Sequence, residues 1–291
     1  MAMGKGTPDG VRIAPGLHLV ATPIGAARDI TLRALDILAS ADVLAAEDTR
    51  TLRHLMEIHG LPINGRPMIA YHDHNGAAVR PRLIAALKEG KSVAYASEAG
   101  TPLVADPGYQ LARSAIEEGL PVLAAPGPSA VLCALTVSGI PSDRFTFMGF
   151  LPNRSAARKT ALREVKAVPS SLIFYESPHR VPESLRDMRD CLGEQRMAAV
   201  CRELTKKFEE ITRGSLAELA EVFASREIKG EVVIVIDRGS VVVASPQDME
   251  NALKIAMQTR STKEAAALVS KEYGLSKRDA YQMALKLEDS K

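Results

Sequence analysis

Two groups of ionisable side chains stand directly after short apolar runs, where strands would end. Glu47, Asp48 and Arg50 follow residues 43–46, and His72-Asp73-His74-Asn75 follows a second run. A carboxylate in this position could act as a general base, and paired histidines could bind a metal. A surface turn that neutralises its own charge explains the acidic group equally well. For the histidines we favour a hydrogen-bonded strand end, because no third ligand stands at a recognisable spacing.

Three loops of small or conformationally special residues could build a binding pocket. They are residues 22–25 (TPIG), 97–108 (SEAGTPLVADPG) and 126–130 (PGPSA). Glycine lets a backbone approach a ligand closely, and proline fixes the shape of a loop. Each loop alone is more simply a tight turn. Together, in one half of an α/β chain, they indicate a nucleotide-like pocket that presents backbone N–H and C=O groups.

One segment concentrates positive charge, with Glu164 as its single acid. Its basic residues are Arg154, Arg158, Lys159, Arg163 and Lys166. This is the best local candidate for binding the phosphates of RNA, although a solvated helix face has the same pattern. Such a patch would have to be local, because the net charge of the whole chain is only +2.

Alternating strands and helices must position these side chains. Strands are predicted at residues 17–21, 43–46, 92–96 and 122–125, and again at 145–149, 172–175, 198–202 and 232–236. Helices are predicted after a cap at Asp29 or Thr31, and at 80–88, up to 118, 129–138, 154–166, 181–191 and 215–223. This alternation favours a mostly parallel α/β sheet, in which ligands bind outside the carboxyl ends of the strands.

Breaker residues and composition suggest four segments. They are a flexible leader at 1–16, an α/β domain at 17–126, a second α/β domain at 127–239 and a helical appendage at 246–291. In the appendage, helices at 263–269 and 276–287 around Gly274 resemble a helix-turn-helix, though we slightly favour a packing role.

Several protein classes are disfavoured by composition and missing motifs. The chain has three cysteines without CxxC spacing, which argues against a disulfide framework or a zinc site and favours the cytoplasm. No apolar stretch approaches the roughly 20 residues of a membrane helix. Aromatic residues make up 4%, too few for the stacking surface of an RNA-recognition motif. Dinucleotide, P-loop, nucleophile-elbow and HExxH motifs are missing.

At the candidate loops, however, the chain resembles a known family. The matching segments are VATPIG (20–25), AAEDTR (45–50), YHDHN (71–75), AGTPLVADPGY (99–109), PGPSA (126–130), GFLP (149–152), FYESPHR (174–180) and RELTKKFEE (202–210). In this order they are similar to the ribosomal RNA small subunit methyltransferase I family, the 16S rRNA (cytidine-2′-O)-methyltransferase branch of the tetrapyrrole methylase superfamily. The likeness extends over residues 17–239, and the appendage is similar to a helical domain of some members.

The resemblance implies a two-domain tetrapyrrole methylase fold with S-adenosylmethionine in the interdomain cleft, and a homodimer. Ser97, Glu98 and Ala99 would occupy the positions of the superfamily's Gly-Asp-Pro motif. Leu103, Val104 and Ala105 would meet the cofactor through backbone atoms. The remaining implied contacts are Pro23, Ser129, Ala130, Tyr175, Glu176, Leu204, Gly230 and Glu231.

Two residues depart from the family pattern. Glu98 replaces the usual Asp of Ser-Asp-Ala-Gly-Thr-Pro, which keeps the charge but moves it by one methylene. Ala26 replaces the usual Asn after Gly25, so any role of that amide is missing.

The implied activity is methylation of a cytidine 2′-hydroxyl in the decoding region of 16S rRNA, on the rRNA or the 30S subunit. A base would help, because the hydroxyl is a weak acid. The candidates are Glu47, Asp48, Asp106, Glu203 and Lys207, among which the sequence does not choose. The alternatives are a methylase of porphyrin-like rings and a ribosome-assembly binder without turnover. No metal is predicted.

Overall fold

The computed structural model describes residues 13–238, 246–273 and 276–288. The chain divides into two compact units, Met1–Arg238 and Gly239–Lys291. Most of the predicted leader lies outside the described residues, and its last residue, Gly16, already belongs to the first strand. None of the helices in the described ranges has the length and apolarity that a membrane span requires.

The first unit begins with a five-stranded, wholly parallel sheet of order β3-β2-β4-β1-β5. Its strands are β1 (Gly16–Val20), β2 (Val43–Ala46), β3 (Met68–Ala70), β4 (Ser92–Ala96) and β5 (Val122–Ala125). The central strands β2 and β4 are buried at every residue, as expected for a parallel sheet covered on both faces. The predicted bounds of β2, β4 and β5 are confirmed.

Helices cover both faces of this sheet. They are α1 (Leu32–Ser40), α2 (Thr49–Ile58), α3 (Gly76–Lys88) and α4 (Tyr109–Glu117). Thr31 is the cap of α1, because its hydroxyl accepts a hydrogen bond from Ala34 N at 3.1 Å, whereas Asp29 lies in a preceding 3-10 turn. Helix α2 was not predicted, because it buries only Leu52 and Met56 and therefore has a weak apolar pattern.

A second five-stranded sheet follows, with the order β6-β7-β10-β8-β9. Its strands are β6 (Phe145–Phe150), β7 (Ser171–Glu176), β8 (Met197–Arg202), β9 (Glu210–Ser215) and β10 (Val232–Ile236). The helices of this half are α5 (Ala130–Ser138), α6 (Ser155–Val165), α7 (Val181–Leu192) and α8 (Leu216–Val222).

The prediction of a mostly parallel sheet is wrong for this second half. Only β6 and β7 pair in parallel; β10 pairs antiparallel with both β7 and β8, and β9 pairs antiparallel with β8. The helix-connected strands β6, β7 and β8 do run in one direction. However, β9 returns from β8 without a helix, and β10 inserts between β7 and β8 in the opposite direction.

The boundary between domains at 17–126 and 127–239 stays a prediction. Each segment would contain one sheet, yet residues up to Arg238 form one compact unit. Two core clusters lie on the faces of the first sheet and two on those of the second.

Three helices make up the described part of the second unit, rather than the two that were predicted. They are α9 (Pro246–Ala256), α10 (Thr262–Tyr273) and α11 (Lys277–Glu288). A small core joins them, formed by Leu253, Ala266, Val269, Ala280 and Ala284. Helix α9 was not predicted because its apolar pattern is weak. Among its described residues, it buries Leu253 and Ala256 alone. The predicted turn at Gly274 lies outside the described residues.

Candidate functional site

The three predicted loops meet at the carboxyl edge of the first sheet. Thr22 and Gly100 exchange two backbone hydrogen bonds, with N···O distances of 2.9 and 3.0 Å. The Thr101 hydroxyl donates to Pro128 O at 2.9 Å, which ties the loop after β4 to the loop after β5. Loops that follow β1, β4 and β5 are therefore fastened to one another where parallel α/β sheets bind ligands.

The first loop also touches the second half of the unit. Ala26 N donates to the Thr205 hydroxyl at 3.1 Å. At Gly25 an added Cβ would lie 2.5 Å from Lys206 Cγ and 2.5 Å from Thr205 Oγ1. Glycine is required there because the two halves approach so closely.

A cavity of about 330 Å³ lies between the edges of the two sheets. Ten of the predicted site residues form part of its wall: Ala99, Val104, Ala105, Asp106, Ser129, Ala130, Tyr175, Glu176, Gly230 and Glu231. Six further wall residues lie inside the predicted loops or quoted motifs but were not named as individual contacts: Ile24, Gly100, Thr101, Phe150, Ser177 and Pro178. Val232 and Val233 were not predicted as wall residues, because they belong to a buried strand whose sequence carries no signal of ligand contact.

Five predicted cofactor contacts do not reach the cavity wall: Pro23, Ser97, Glu98, Leu103 and Leu204. Ser97 is buried and donates its hydroxyl to Gly100 O at 2.5 Å, so it shapes the loop from inside. Leu204 belongs to a core cluster beneath the site. Glu98 is exposed.

The loop after β4 contains backbone strain beside the cavity. Leu103 and Ala105 have φ angles of 72° and 56°, in the left-handed region that side chains disfavour. Such strain costs on the order of 1–3 kcal/mol per residue and persists where surrounding contacts fix it, often at ligand sites. These left-handed conformations change the direction of successive peptide groups in the part of the loop where Val104 and Ala105 line the cavity.

Asp106 is the perturbed acid of the site. Burial first, then the carboxyl group of Glu47, and then the charges of Glu98 and Asp73 together raise its pKa to about 7. Its buried Oδ2 has no hydrogen-bond partner among the described residues. The fold thus brings two of the sequence-predicted catalytic candidates, Asp106 and Glu47, close together, and Asp106 lies on the cavity wall.

Three other candidates are engaged elsewhere. Asp48 caps α2 and pairs with Arg50 at 2.6 Å, and hydrogen bonds from Arg50 lower the pKa of Asp48 to about 2. Glu203 accepts from Lys206 Nζ at 2.9 Å and from Glu231 N at 3.0 Å. The exposed Lys207 holds its ammonium 5.5 Å from the ring centroid of Phe208.

Tyr175 and Glu176 form the part of the wall contributed by β7. The Tyr175 ring meets Phe147 and Phe150 edge-on, with centroids 4.9 and 5.5 Å away. Burial, and then the charges of Glu231 and Asp106, raise the pKa of Tyr175 to about 12, so its hydroxyl keeps its proton at neutral pH. Tyr175 therefore gives the wall a flat, uncharged surface.

The buried Glu176 carboxylate is fully engaged within its own half. It accepts hydrogen bonds from Ser177 N and Arg180 Nε, both at 2.7 Å, and from the Ser184 hydroxyl at 2.5 Å. These contacts fix the end of β7 and the turn that follows, so Glu176 supports the cavity wall rather than offering a free charge.

The predicted phosphate-binding patch is wrong at Arg158, and a second member, Lys159, is only partly exposed and already paired. Arg158 is 0% exposed, and its Nε donates to Asp187 Oδ2 at 2.7 Å. Lys159 pairs with Asp187 at 3.3 Å and with Asp190 at 2.9 Å. Both cations face α7 because α6 packs against it there. Arg154, Arg163 and Lys166 are exposed and remain candidates.

The histidine segment closes a strand end, as we favoured. Asn75 Oδ1 accepts from His72 N, and Asn75 Nδ2 donates to Ala70 O, both at 2.9 Å. Within the described ranges, no group of three or more His, Cys, Asp or Glu side chains is arranged to hold a metal ion.

Comparison with protein families gives two matches. Residues 16–220 match the model of the Tetrapyrrole (Corrin/Porphyrin) Methylases, and residues 243–288 match that of the RsmI C-terminal HTH domain. Similar proteins include the Ribosomal RNA small subunit methyltransferase I of Mesorhizobium japonicum, 47% identical over 96% of this chain and 94% of the relative. The protein of that name from Vibrio cholerae is 43% identical over 98% of each chain.

Solved structures share the fold at low identity. Uroporphyrin-III C-methyl transferase from Thermus thermophilus, complexed with S-adenyl homocysteine, is 18% identical with a TM-score of 0.53, covering 78% of this chain and 99% of its own. Diphthine synthase is 16% identical with a TM-score of 0.59, covering 76% and 89%. At such identities the likeness shows a common fold alone.

Proposed function

The chain belongs to the ribosomal RNA small subunit methyltransferase I family of tetrapyrrole methylases, and on this premise we propose that it methylates the ribose of a cytidine in the decoding region of 16S rRNA. The methyl donor is S-adenosylmethionine and the acceptor is the 2′-hydroxyl. The observation that carries the proposal is the cavity in which the loops after β1, β4 and β5 face the ends of β7 and β10.

The residues of this cavity fit the donor. A volume of about 330 Å³ lies within the roughly 300–1,000 Å³ of small-molecule sites. Loop residues Ala99, Val104 and Ala105, with Ser129 and Ala130 opposite, offer backbone groups and small side chains for an adenosine. The donor carries positive charge on its sulfonium and amino groups, and the wall provides carboxylates at Asp106 and Glu231. The unpartnered Asp106 Oδ2 is consistent with a site completed by a ligand or by substrate.

When bound, S-adenosylmethionine supplies a methyl group attached to a positively charged sulfur, which makes that carbon electrophilic. The protein must align the ribose oxygen with this carbon and keep water away. Positioning of this kind can contribute about 7–11 kcal/mol to lowering a barrier. Phe150 and Tyr175 give the cavity an apolar wall on one side, and the fastened loops fix the other.

Asp106 is the proton acceptor in this proposal. It is the one candidate base, among the described residues, that lines the cavity. Attack by the hydroxyl oxygen on the methyl carbon would break the carbon–sulfur bond and leave S-adenosylhomocysteine. The proton released from the hydroxyl would pass to the carboxylate of Asp106, which lies on the cavity wall. Burial and Glu47 raise the pKa of Asp106 to about 7, which brings it near the operating pH that favours general base catalysis.

Further parts of the proposal concern the partners. The exposed Arg154, Arg163 and Lys166 contact rRNA phosphates, so binding should weaken steeply with salt. The active form is a homodimer in the cytoplasm, acting on 16S rRNA or the 30S subunit.

The proposal is tested with radiolabelled S-adenosylmethionine and 30S subunits that lack their decoding-region modifications, with naked 16S rRNA and a porphyrin-like ring as parallel substrates. Nuclease digestion and mass spectrometry then locate the label. Label on a cytidine ribose is expected. Transfer to a porphyrin-like ring instead would indicate a small-molecule methylase, and donor binding without transfer to any particle would indicate an assembly factor.

A further inference from the structure

Phe208 is a large apolar side chain that the fold holds out to solvent. It lies in the loop between β8 and β9 and is 63% exposed. The loop itself is well fixed: Lys206 N donates to Glu203 O at 3.0 Å, Glu209 N donates to Lys206 O at 3.1 Å, and Thr205 N donates to the Glu209 carboxylate at 2.5 Å. The exposure of Phe208 is therefore a feature of an ordered loop.

The same loop contacts the cavity wall. Lys206 Nζ lies 3.2 Å from the carboxylate of Glu231, a wall residue, and Glu231 N donates to Glu203 Oε1 at 3.0 Å. Thr205 accepts the hydrogen bond from Ala26 on the opposite side of the cleft. Phe208 thus belongs to a loop that touches both halves of the unit beside the cavity.

The ammonium group of Lys207 lies close to the exposed Phe208 ring. Lys207 is also exposed, and its ammonium stands 5.5 Å from the Phe208 centroid. An aromatic face beside a positive charge matches a nucleotide, whose base stacks and whose phosphate is anionic. Single-stranded RNA is recognised in this way, by stacking of unpaired bases on aromatic side chains.

We propose that Phe208 stacks on a base of the RNA substrate next to the target nucleotide, while Lys207 contacts the adjoining phosphate. This inference rests on the proposed function and adds to it a residue that positions the RNA. The stacked base would fix the strand at the mouth of the cleft, so that the neighbouring ribose enters the cavity in one register.

The test compares Phe208→Ala, Phe208→Leu and Phe208→Trp with the wild type. Ile116→Ala serves as a matched control. Ile116 is an equally exposed apolar side chain (63%), but it lies on α4 and has no aromatic ring on which a base could stack. Steady-state methyl transfer gives KM and kcat for 30S subunits, and filter binding gives the affinity of the protein for 30S subunits in the absence of methyl transfer. Calorimetry gives the affinity for the donor, and sedimentation gives the oligomeric state.

We expect Phe208→Ala and Phe208→Leu to raise KM and weaken 30S binding by roughly 5- to 150-fold, the range for one base stacked on an aromatic ring. The donor affinity should not change, and Phe208→Trp should behave like the wild type. Unchanged 30S binding in Phe208→Ala, full function of Phe208→Leu, or a change in oligomeric state would overturn the proposal. Absence of methyl transfer by the wild type would instead refute the proposed function, and filter binding would still test the stacking.

Discussion

The pKa of Asp106 links stability and activity at the residue scale. Its pKa in the folded chain is about 7, because of burial and then Glu47, against 3.8 for an unperturbed Asp. The folded state therefore holds a proton that the unfolded state loses between these values. By linkage, stability from this group is complete below about pH 4 and falls as the pH rises through 7.

Asp106→Asn should remove this pH dependence. Relative to the wild type, the variant should gain unfolding free energy as the pH is raised from 5 to 8, as measured by urea denaturation at each pH. If Asp106 is the base, kcat should fall by about 100-fold or more, and the rise of activity through pH 7 should disappear. Wild-type turnover in this variant would exclude Asp106 as the proton acceptor.

The neighbouring acids should tune Asp106 in a definite order. Glu47 raises its pKa more than Glu98 does. Glu47→Gln should therefore move the acidic limb of the pH–rate profile to lower pH by more than Glu98→Gln. Equal shifts would contradict the arrangement of charges in the cleft.

The unusual Glu98 can be tested separately. Its side chain is exposed and does not reach the cavity wall. Restoring the family's usual residue with Glu98→Asp should leave the donor affinity, measured by calorimetry, within about twofold, as for most surface substitutions. A larger change would mean that this side chain contacts the donor.

At the scale of elements, one buried cation joins α6 to α7. Arg158→Ala would leave Asp187 buried without its closest partner, and breaking buried pairs costs about 3–5 kcal/mol. We expect a loss of about 3 kcal/mol in urea denaturation, the lower end of that range, because Lys159 also contacts Asp187. Arg163→Ala, on the exposed face of α6, should leave stability unchanged but reduce the salt dependence of RNA binding. If Arg158→Ala instead left stability unchanged and reduced the salt dependence of RNA binding, Arg158 would be an RNA-binding residue.

Gly108 is the residue at which the loop after β4 ends and α4 begins. Its φ is +116°, and an added Cβ would lie 2.5 Å from the buried Tyr95 ring. Strain and overpacking together predict a loss of about 3 kcal/mol for Gly108→Ala. Gly119→Ala is the control, because φ there is also positive (+68°) but nothing lies within 4 Å of the added Cβ. Equal melting temperatures of the two variants would contradict this packing.

At the scale of the whole molecule, the cavity proposed to bind the cofactor belongs to one compact unit. The residues that line the cavity lie between Ile24 and Val233, within the unit Met1–Arg238. A chain ending at residue 238 should bind S-adenosylmethionine with unchanged affinity by calorimetry. A fragment that shows a cooperative melt yet binds no donor would mean that the helical unit completes the site.

The sequence by itself determined the strands with continuous apolar runs, the loops that line the cavity and the family. Strands β2, β4, β5 and β10 have their predicted bounds because each is a short, mainly apolar run between polar, charged or proline residues. The loop motifs are local and ordered along the chain, so they could be read without coordinates. They contain fourteen of the eighteen residues of the cavity wall.

Only the tertiary structure decided the strand directions of the second sheet, the burial of Arg158 and which of the five candidate bases, Asp106, lines the cavity. Each depends on residues distant in sequence. Strand β10 inserts between β7 and β8, and Asp187 on α7 forms an ion pair with Arg158 on α6. Glu47, at the end of another strand, lies close to Asp106. Local periodicity specifies which residues turn inward. Burial and proximity of charges arise only when separate elements pack together, and they set the pKa and the partner of each side chain.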